Sequence, residues 1–436
     1  MWNTVVLEDV ASPSPHALST GPFGSAISSR HFLTSGVPVI RGSNLSLNVR
    51  CRLLEDDLAF LSDEKALEFK RSIARRGDLV FTCWGTVGQV GLIDARAQFD
   101  EYVISNKQMK LTPDPIKVDS LFLYYRLSAP DMVAAVRSQA IGSAVPGFNL
   151  GQLRQLQVSL PRLDAQRRIA GVLGAFDDLI ATNARRIWVL EETVRTLHYE
   201  LFDSSRSGLS ESPTPEFVVP FGQLCKSVTQ SVDPGSIDPS TPAVGLEHLP
   251  RRSTTLVDWG RAEDLGSRKL RFEEGDVLFG KIRPYFHKVA IAPVSGVCST
   301  DIIVLRPERL ELAGVVSAVA SSDEFVASAV QTSNGTKMPR ADWKVLSRFP
   351  VVLRSDDVTS AFSKQVLTLT RAASALGLQN RSLSAASDVL LPGLVTGQVD
   401  IESLRVDDVF GWAALSNGGP DEEVLLPEPQ KLSTVG

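Results

Sequence analysis

The sequence predicts an α/β (α+β) chain: two tandem domains of mixed, β-rich fold, separated by two long helices that pair as an antiparallel coiled coil. Three observations carry this expectation. The chain has 436 residues, too many for one ordinary hydrophobic core. It repeats itself with a period of roughly 195 residues, far longer than a solenoid unit and hence a duplicated domain. Each copy ends in a segment whose apolar residues recur at alternating steps of four and three, the seam of a coiled coil.

The first copy is assigned to residues 1–160. Pro, Gly and Ser punctuate it often, as short strands joined by irregular loops require. Gly77-Asp78-Leu79-Val80-Phe81 reads as a turn entering a strand and returns as Gly275-Asp276-Val277-Leu278-Phe279. Ser105-Asn106, before a strand ending at Pro113, is echoed by Ser299-Thr300 and a strand ending at Pro307. Gly142, Pro146 and the run Leu156–Leu160 return as Gly335, Pro339 and Phe349–Leu353. Val37 through Leu45 is matched by Thr241 through Leu249.

The first helix spans residues 161–202. Its seam runs Ile169, Leu173, Phe176, Ile180, Asn183, Ile187, Leu190, Val194, Leu197, Leu201. Residues 203–219, rich in Ser, Pro and Gly, read as a linker. The second copy covers residues 220–354 and the second helix 355–400. The second seam runs Phe362, Val366, Leu369, Ala373, Leu376, Asn380, Leu383, Ser387, Leu390.

Asn183 falls at a d position and Asn380 at an a position, which face each other in an antiparallel pair. That register sets Ile187 against Leu376, Leu190 against Ala373, Val194 against Leu369, Leu197 against Val366 and Leu201 against Phe362. A buried Asn pair penalises slipped registers, because a shifted amide is left without a partner. Packing of each helix on its own domain is the alternative. Residues 401–436 form an acidic tail.

The net charge of −5 is concentrated in that tail. Residues 400–436 hold eight acids and two bases, which leaves 43 bases against 42 acids elsewhere. Phosphate binding depends on the local field of a surface, so the total neither requires nor excludes nucleic acid. Cys51, Cys83, Cys225 and Cys298 show no CxxC pairing, and the five histidines are scattered. Free thiols and no metal site are expected. With no signal-like start and no apolar run long enough for a bilayer, a cytoplasmic location and no membrane are expected.

Gly142-Ser143-Ala144-Val145-Pro146-Gly147-Phe148-Asn149-Leu150, then Leu156–Pro161, then Gln166, Ile169 through Leu173, Asp177 and Ile180, resembles the junction between a target-recognition domain and a spacer helix in type I restriction-modification specificity subunits. Gly275–Lys288 with Cys298-Ser299-Thr300 resembles the second recognition domain, and Leu390-Leu391-Pro392-Gly393-Leu394 with Gly397 the close of the second helix. The resemblance covers nearly the whole chain in family order. Two departures stand out: Ala165 where an acidic residue commonly precedes the glutamine, and no proline-and-glutamine signature at Val352–Asp357.

The resemblance implies a non-catalytic specificity subunit that reads a bipartite, asymmetric site on double-stranded DNA. It implies docking of methyltransferase subunits, two of them, and of restriction/translocase subunits. No cofactor is expected in this chain; S-adenosylmethionine, Mg and ATP belong to the partners. A coiled-coil scaffold that binds only proteins is the alternative. No GxxxxGK[ST] loop is present, nor an Asn-Pro-Pro-aromatic or Asp-Pro-Pro-aromatic tetrapeptide.

Base reading needs forked donors or amides, and phosphate binding needs Lys and Arg. In the first copy the candidates are Arg41, Ser43 and Asn44, after an apolar strand, and Lys107 and Gln108. In the second they are Arg251, Arg252, Arg268, Lys269, Lys281, Arg283, Tyr285, Lys337 and Arg340. Solvated turns and strand faces are the competing readings for all of them.

Overall fold

The structure is a computed structural model that describes residues 2–24, 26–142, 146–202, 217–333 and 338–404. The linker expected at 203–219 lies outside the described residues up to 216, and the acidic tail does so from 405. By its contacts the chain divides into two units. One is built from residues up to Asp178 with those from Ser384 onward, the other from Leu179–Leu383. Each unit therefore contains part of both long helices.

Among the described residues the first unit holds ten strands in chain order: β1 (Asn3–Val6), β2 (Leu18–Thr20), β3 (Val37–Ile40), β4 (Ala59–Leu61), β5 (Ile73–Arg75), β6 (Leu79–Thr82), β7 (Val90–Leu92), β8 (Glu101–Ile104), β9 (Gln108–Leu111) and β10 (Gln157–Leu160). They form a sheet of order β2-β9-β6-β7, a second of order β4-β3-β8-β5, and the pair β1-β10. Helices Ser120–Ser128 and Pro130–Ser138 lie between β9 and β10 in the chain.

The second unit holds β11 (Phe217–Pro220), β12 (Cys225–Val228), β13 (Ser231–Val232), β14 (Pro242–Val244), β15 (Gly260–Arg261), β16 (Lys269–Phe272), β17 (Val277–Gly280), β18 (Val289–Ile291), β19 (Gly296–Cys298), β20 (Ile302–Pro307) and β21 (Pro350–Leu353). Its sheets run β12-β20-β17-β18 and β13-β16-β19-β14-β15, with β11 paired to β21. Strand for strand this is the first unit again, with β13 added. Even the parallel pairing of β3 with β8 recurs in β14 with β19. Helices Ala313–Ala320 and Asp323–Gln331 repeat the two helices of the first unit.

The central strands are the most deeply buried: β6, β17 and the first four residues of β20 are wholly buried. One core joins Leu79, Phe81, Met109 and Leu111 with Phe122, Tyr124 and Tyr125, and takes in Leu173, Leu391 and Leu394 from the long helices. The other joins Val277, Phe279, Ile303 and Phe325 with Phe202, Phe362 and Val366. Burial of this apolar area is the main stabilising contribution in each unit.

The long helices span Leu163–Phe202 and Asp356–Thr396. The start of the first is fixed by Gln166, whose Oε1 accepts from Asp119 N (3.0 Å) and whose Nε2 donates to Pro161 O (2.9 Å). At the matching place in the second, Thr359 is buried and donates through Oγ1 to Arg354 O. A short hydroxyl thus replaces the amide, which explains the missing glutamine. Asp356 and Asp357 in the first turn favour the positive end of the helix dipole. Gly397, at φ +79°, closes the second helix; a Cβ there would meet the Trp2 ring at 2.6 Å.

Within the second unit the helices run antiparallel and meet at Asn183 and Asn380. Asn183 Nδ2 donates to Asn380 Oδ1 (3.0 Å) and Gln379 Oε1 (2.9 Å), and Asn380 Nδ2 donates to Ile180 O (3.0 Å). Ala373, Leu383, Val366 and Phe362 are buried; Ile187, Leu190, Val194, Leu197, Leu369 and Leu376 are half-buried. In the first unit Ile169, Leu173, Phe176 and Ser387 are buried and Leu390 is half-buried. At the end of the first helix, Phe202 meets the Phe362 ring edge-on at 4.9 Å, and Leu201 packs against the same core.

Candidate nucleic-acid interface

Each unit carries one loop that grips the first long helix through a buried carboxylate. In the first unit Arg52 reaches Asp94 (2.5 Å) and Asp177 (3.2 Å), and Asp177 Oδ2 also accepts from Tyr125 OH (2.6 Å). Asp177 is 3% exposed. Burial holds its carboxyl above the ordinary value against the pull of Tyr125 and Arg52. In the second unit Glu191 Oε1 accepts from Ser253 Oγ (2.7 Å), Thr254 N (2.9 Å), Thr255 N (3.0 Å) and Thr255 Oγ1 (2.7 Å). The two loops sit at the same point of the repeat: Arg52 O accepts from Leu92 N in β7, and Thr254 O from Ile291 N in β18.

The loops between β6 and β7 and between β17 and β18 are also the same structure twice. Gly85 N donates to Pro146 O, and Arg283 N to Pro339 O. Trp84 bridges Gly147, and Ile282 bridges Arg340. Left-handed backbone occurs at Gly85 (φ +92°) and Arg283 (φ +50°), then again at Gly88 (φ +99°) and His287 (φ +51°). Thr86-Val87 in the first loop correspond to Pro284-Tyr285-Phe286 in the second. A non-glycine residue in this conformation costs about 1–2 kcal/mol. The first copy avoids that cost at both positions and the second bears it at both.

Each loop is rigidly backed. In the first, Gln89 Oε1 accepts from Thr86 Oγ1 (2.5 Å), Gln89 Nε2 donates to Leu45 O (2.9 Å), and Arg137 Nε donates to Val87 O (3.2 Å). Trp84 is 50% exposed, with its ring against Gly147, where a Cβ would sit 2.2 Å from ring carbon Cζ3. In the second, buried His287 bonds Ser321 O through Nε2 (2.9 Å) and lies 3.3 Å from Asp323 through Nδ1. Arg251 lies over the Phe286 ring at 4.3 Å, and Tyr285 is 52% exposed.

The structure brings Arg251, Arg252, Lys281, Arg283, Tyr285 and Arg340 to this one loop region of the second unit. Arg252 N donates to His287 O and its guanidinium pairs with Asp323 (3.2 Å). Arg340 lies 3.8 Å from Asp301. Arg268 and Lys269 stand apart from that loop, beside β16 of the other sheet, where they bond Asp233 (3.0 Å) and Ser267 (2.7 Å). Lys337 lies outside the described residues.

In the first unit Ser43 and Lys107 are exposed, while Arg41 is half-buried, donates to Asp57 O (2.6 Å) and lies over Phe32. Two candidates expected at the surface are instead interior. Asn44 is 2% exposed; it accepts from Arg41 N and donates to Leu54 O, so both ends of its amide are used. Gln108 is 0% exposed in β9, where its Oε1 bonds Ser105 Oγ. Trp84 was not anticipated. Aligning residues 83–89 with 281–288 through the repeat is the signal that finds it.

The cysteines are free thiols, and burial pushes Cys83, Cys225 and Cys298 up to about 12. Among the described residues no group of three or more His, Cys, Asp or Glu is placed to hold a metal. Among them, too, no single helix is long and apolar enough to cross a membrane.

Residues 33–192 match the type I restriction modification DNA specificity domain. The chain is similar to type I restriction-modification specificity subunits. It is 21% identical over 270 residues to the type I restriction enzyme EcoDI specificity subunit of Escherichia coli, covering 55% of this chain and 60% of that one. It is 29% identical over 100 residues to the type I restriction enzyme MjaVIII specificity subunit of Methanocaldococcus jannaschii, 23% of each chain. These matches thus span less than two thirds of either relative. The fold is that of the type I restriction-modification S subunit from M. genitalium in its crystal structure: TM-score 0.60, 15% identity, 90% of this chain and 96% of that one.

Proposed function

We propose that this chain binds double-stranded DNA sequence-specifically, as the specificity subunit of a type I restriction-modification complex. The observation that supports this best is the doubling of one loop with different side chains. Trp84, Gly85 and Thr86 stand in one copy where Ile282, Arg283 and the Pro284–Phe286 turn stand in the other. Two copies of one scaffold with different tips suit the two unlike halves of a bipartite site. Arg41, Ser43 and Lys107 serve the first half. Arg251, Lys281, Arg283, Tyr285 and Arg340 serve the second, with Arg252, Arg268 and Lys269 on phosphates.

The seam from Ile169 to Leu201 is roughly 48 Å long at about 1.5 Å per residue, against ~34–36 Å for one turn of DNA. The helices dock two methyltransferase subunits, which bring the restriction/translocase subunits. The chain itself does no chemistry and works in the cytoplasm. S-adenosylmethionine, Mg and ATP are held by the partners.

The test is binding of duplex DNA by the chain co-purified with its methyltransferase subunits, titrated with salt. Affinity should fall linearly with log salt, with a slope near −0.9 per phosphate contacted. A complex that binds no duplex at any salt concentration is a protein-only scaffold and refutes the reading. Methylation by the purified chain alone refutes its non-catalytic role.

A further inference from the structure

We propose that Arg283 is a specificity-determining residue of the second recognition domain, whose guanidinium fork, presented from a constrained backbone, reads the edge of a guanine in the half-site that domain contacts. The inference rests on the DNA-reading function proposed above and names the residue and base that carry one part of it.

Three non-glycine residues of the second unit hold left-handed backbone within one small region: Arg252, Arg283 and His287. Two of them have a side-chain reason to be there. His287 is buried and bonded to Ser321 O and placed against Asp323, while Arg252 pairs with the same Asp323. Arg283 has none. Its side chain is exposed and makes no hydrogen bond or ion pair among the described residues. Its backbone alone is held, by Arg283 N to Pro339 O (2.8 Å) and Phe286 N to Arg283 O (2.9 Å).

The first copy shows what this position needs for folding. Gly85 occupies it with the same backbone bond and the same hand of φ, and nothing lies within 4 Å of where its Cβ would be. Folding therefore favours glycine here, and space permits any side chain. An arginine that strains its own backbone and makes no side-chain hydrogen bond or ion pair among the described residues has its use outside the chain.

The kind of use follows from the rigidity. A phosphate is reached well by any flexible Lys or Arg, without a constrained backbone. Reading a base edge is helped by a backbone that presents the fork from one fixed point, and arginine paired with guanine O6 and N7 is the commonest such contact. Pro284 on one side and the strand pair Lys281–Arg283 with Pro339–Ala341 on the other hold the residue in place. Exposed Tyr285 and the guanidinium of Arg251 over Phe286 complete a tip fit for a groove.

The test is Arg283→Gly, which gives the backbone the residue it prefers. The full chain, co-purified with its methyltransferase subunits, is used to select from a library of random duplexes, wild type beside variant. The expected result is a melting temperature equal to or above wild type, together with loss of preference for guanine at one position of one half-site. That preference should fall about 5- to 100-fold, with the other half-site unchanged. Arg283→Lys keeps the charge but not the fork, and should lose the same guanine.

An unchanged motif with weaker binding and a salt slope shallower by about 1 makes Arg283 a phosphate contact and overturns the proposal. So does a motif and affinity identical to wild type, or a variant that melts well below it. Failure of the wild-type complex to enrich any sequence overturns the DNA-reading function itself and is distinguishable from all of these.

Discussion

Replacing Arg52 by methionine probes the grip of the first unit on its helix. The substitution keeps the aliphatic length but removes the guanidinium that lies 3.2 Å from Asp177 and 2.5 Å from Asp94. Asp177 is 3% exposed, and its Oδ1 has no hydrogen-bond partner even in the intact protein. Removing one member of a buried pair leaves the other as an uncompensated charge, which costs about 3–5 kcal/mol.

The loss depends on pH with a defined sign. The Asp177 carboxyl is already held above its ordinary value by burial, and without Arg52 it rises further. A carboxyl whose folded value lies above its unfolded one favours the fold below the unfolded value, near 4, and that contribution is lost as pH rises through the folded value. Asp94, partly buried, is held below its ordinary value by Arg52 and Arg96, so it favours the fold at neutral pH and loses that effect in acid. Arg52→Met removes much of this second contribution and deepens the first penalty. Both changes make the variant's deficit largest near pH 7 and smallest near pH 4. Urea unfolding of wild type and variant across that range measures it. A deficit that is flat with pH, or below about 1 kcal/mol at pH 7, refutes the reasoning.

Other perturbations have equally definite outcomes. Asn183→Leu leaves the Asn380 carbonyl oxygen without its donor and should cost about 1–3 kcal/mol, which Asn183→Leu with Asn380→Leu should largely restore; thermal melts of the three proteins decide. Gly147→Ala drives a methyl group into the Trp84 ring and should destabilise by about 1–3 kcal/mol while shifting tryptophan emission, and an unchanged spectrum contradicts the packing described. Iodoacetamide at neutral pH should modify half-buried Cys51 first and leave Cys83, Cys225 and Cys298 intact, read by mass spectrometry.

What was legible in the sequence is what depends on local periodicity or on direct repetition. The seam through Asn183 and Asn380 follows from step lengths alone, and the echo of Gly77–Phe81 in Gly275–Phe279 becomes the shared places of β6 and β17. What was illegible depends on partners distant in the chain. Asn44 and Gln108 read as surface amides because nothing nearby announces that Leu54 and Ser105 will use them. Glu191 looks like one more solvated helix acid until Ser253, Thr254 and Thr255 fold over it. Left-handed backbone at Arg283 and His287 is invisible in their identities, since glycine marks such positions only in the first copy. Trp84 carries no local sign that Gly147 will back its ring.

The central claim is that two copies of one domain read two unlike stretches of a single DNA site. Exchanging the β17–β18 loop, residues 281–288, for the first copy's residues 83–89, and mapping methylated positions genome-wide with the intact complex, tests it most directly. The account predicts that the site keeps one half and its spacing, while the other half changes sequence. Methylation that is lost from both halves together, or a map identical to that of the unaltered protein, contradicts it.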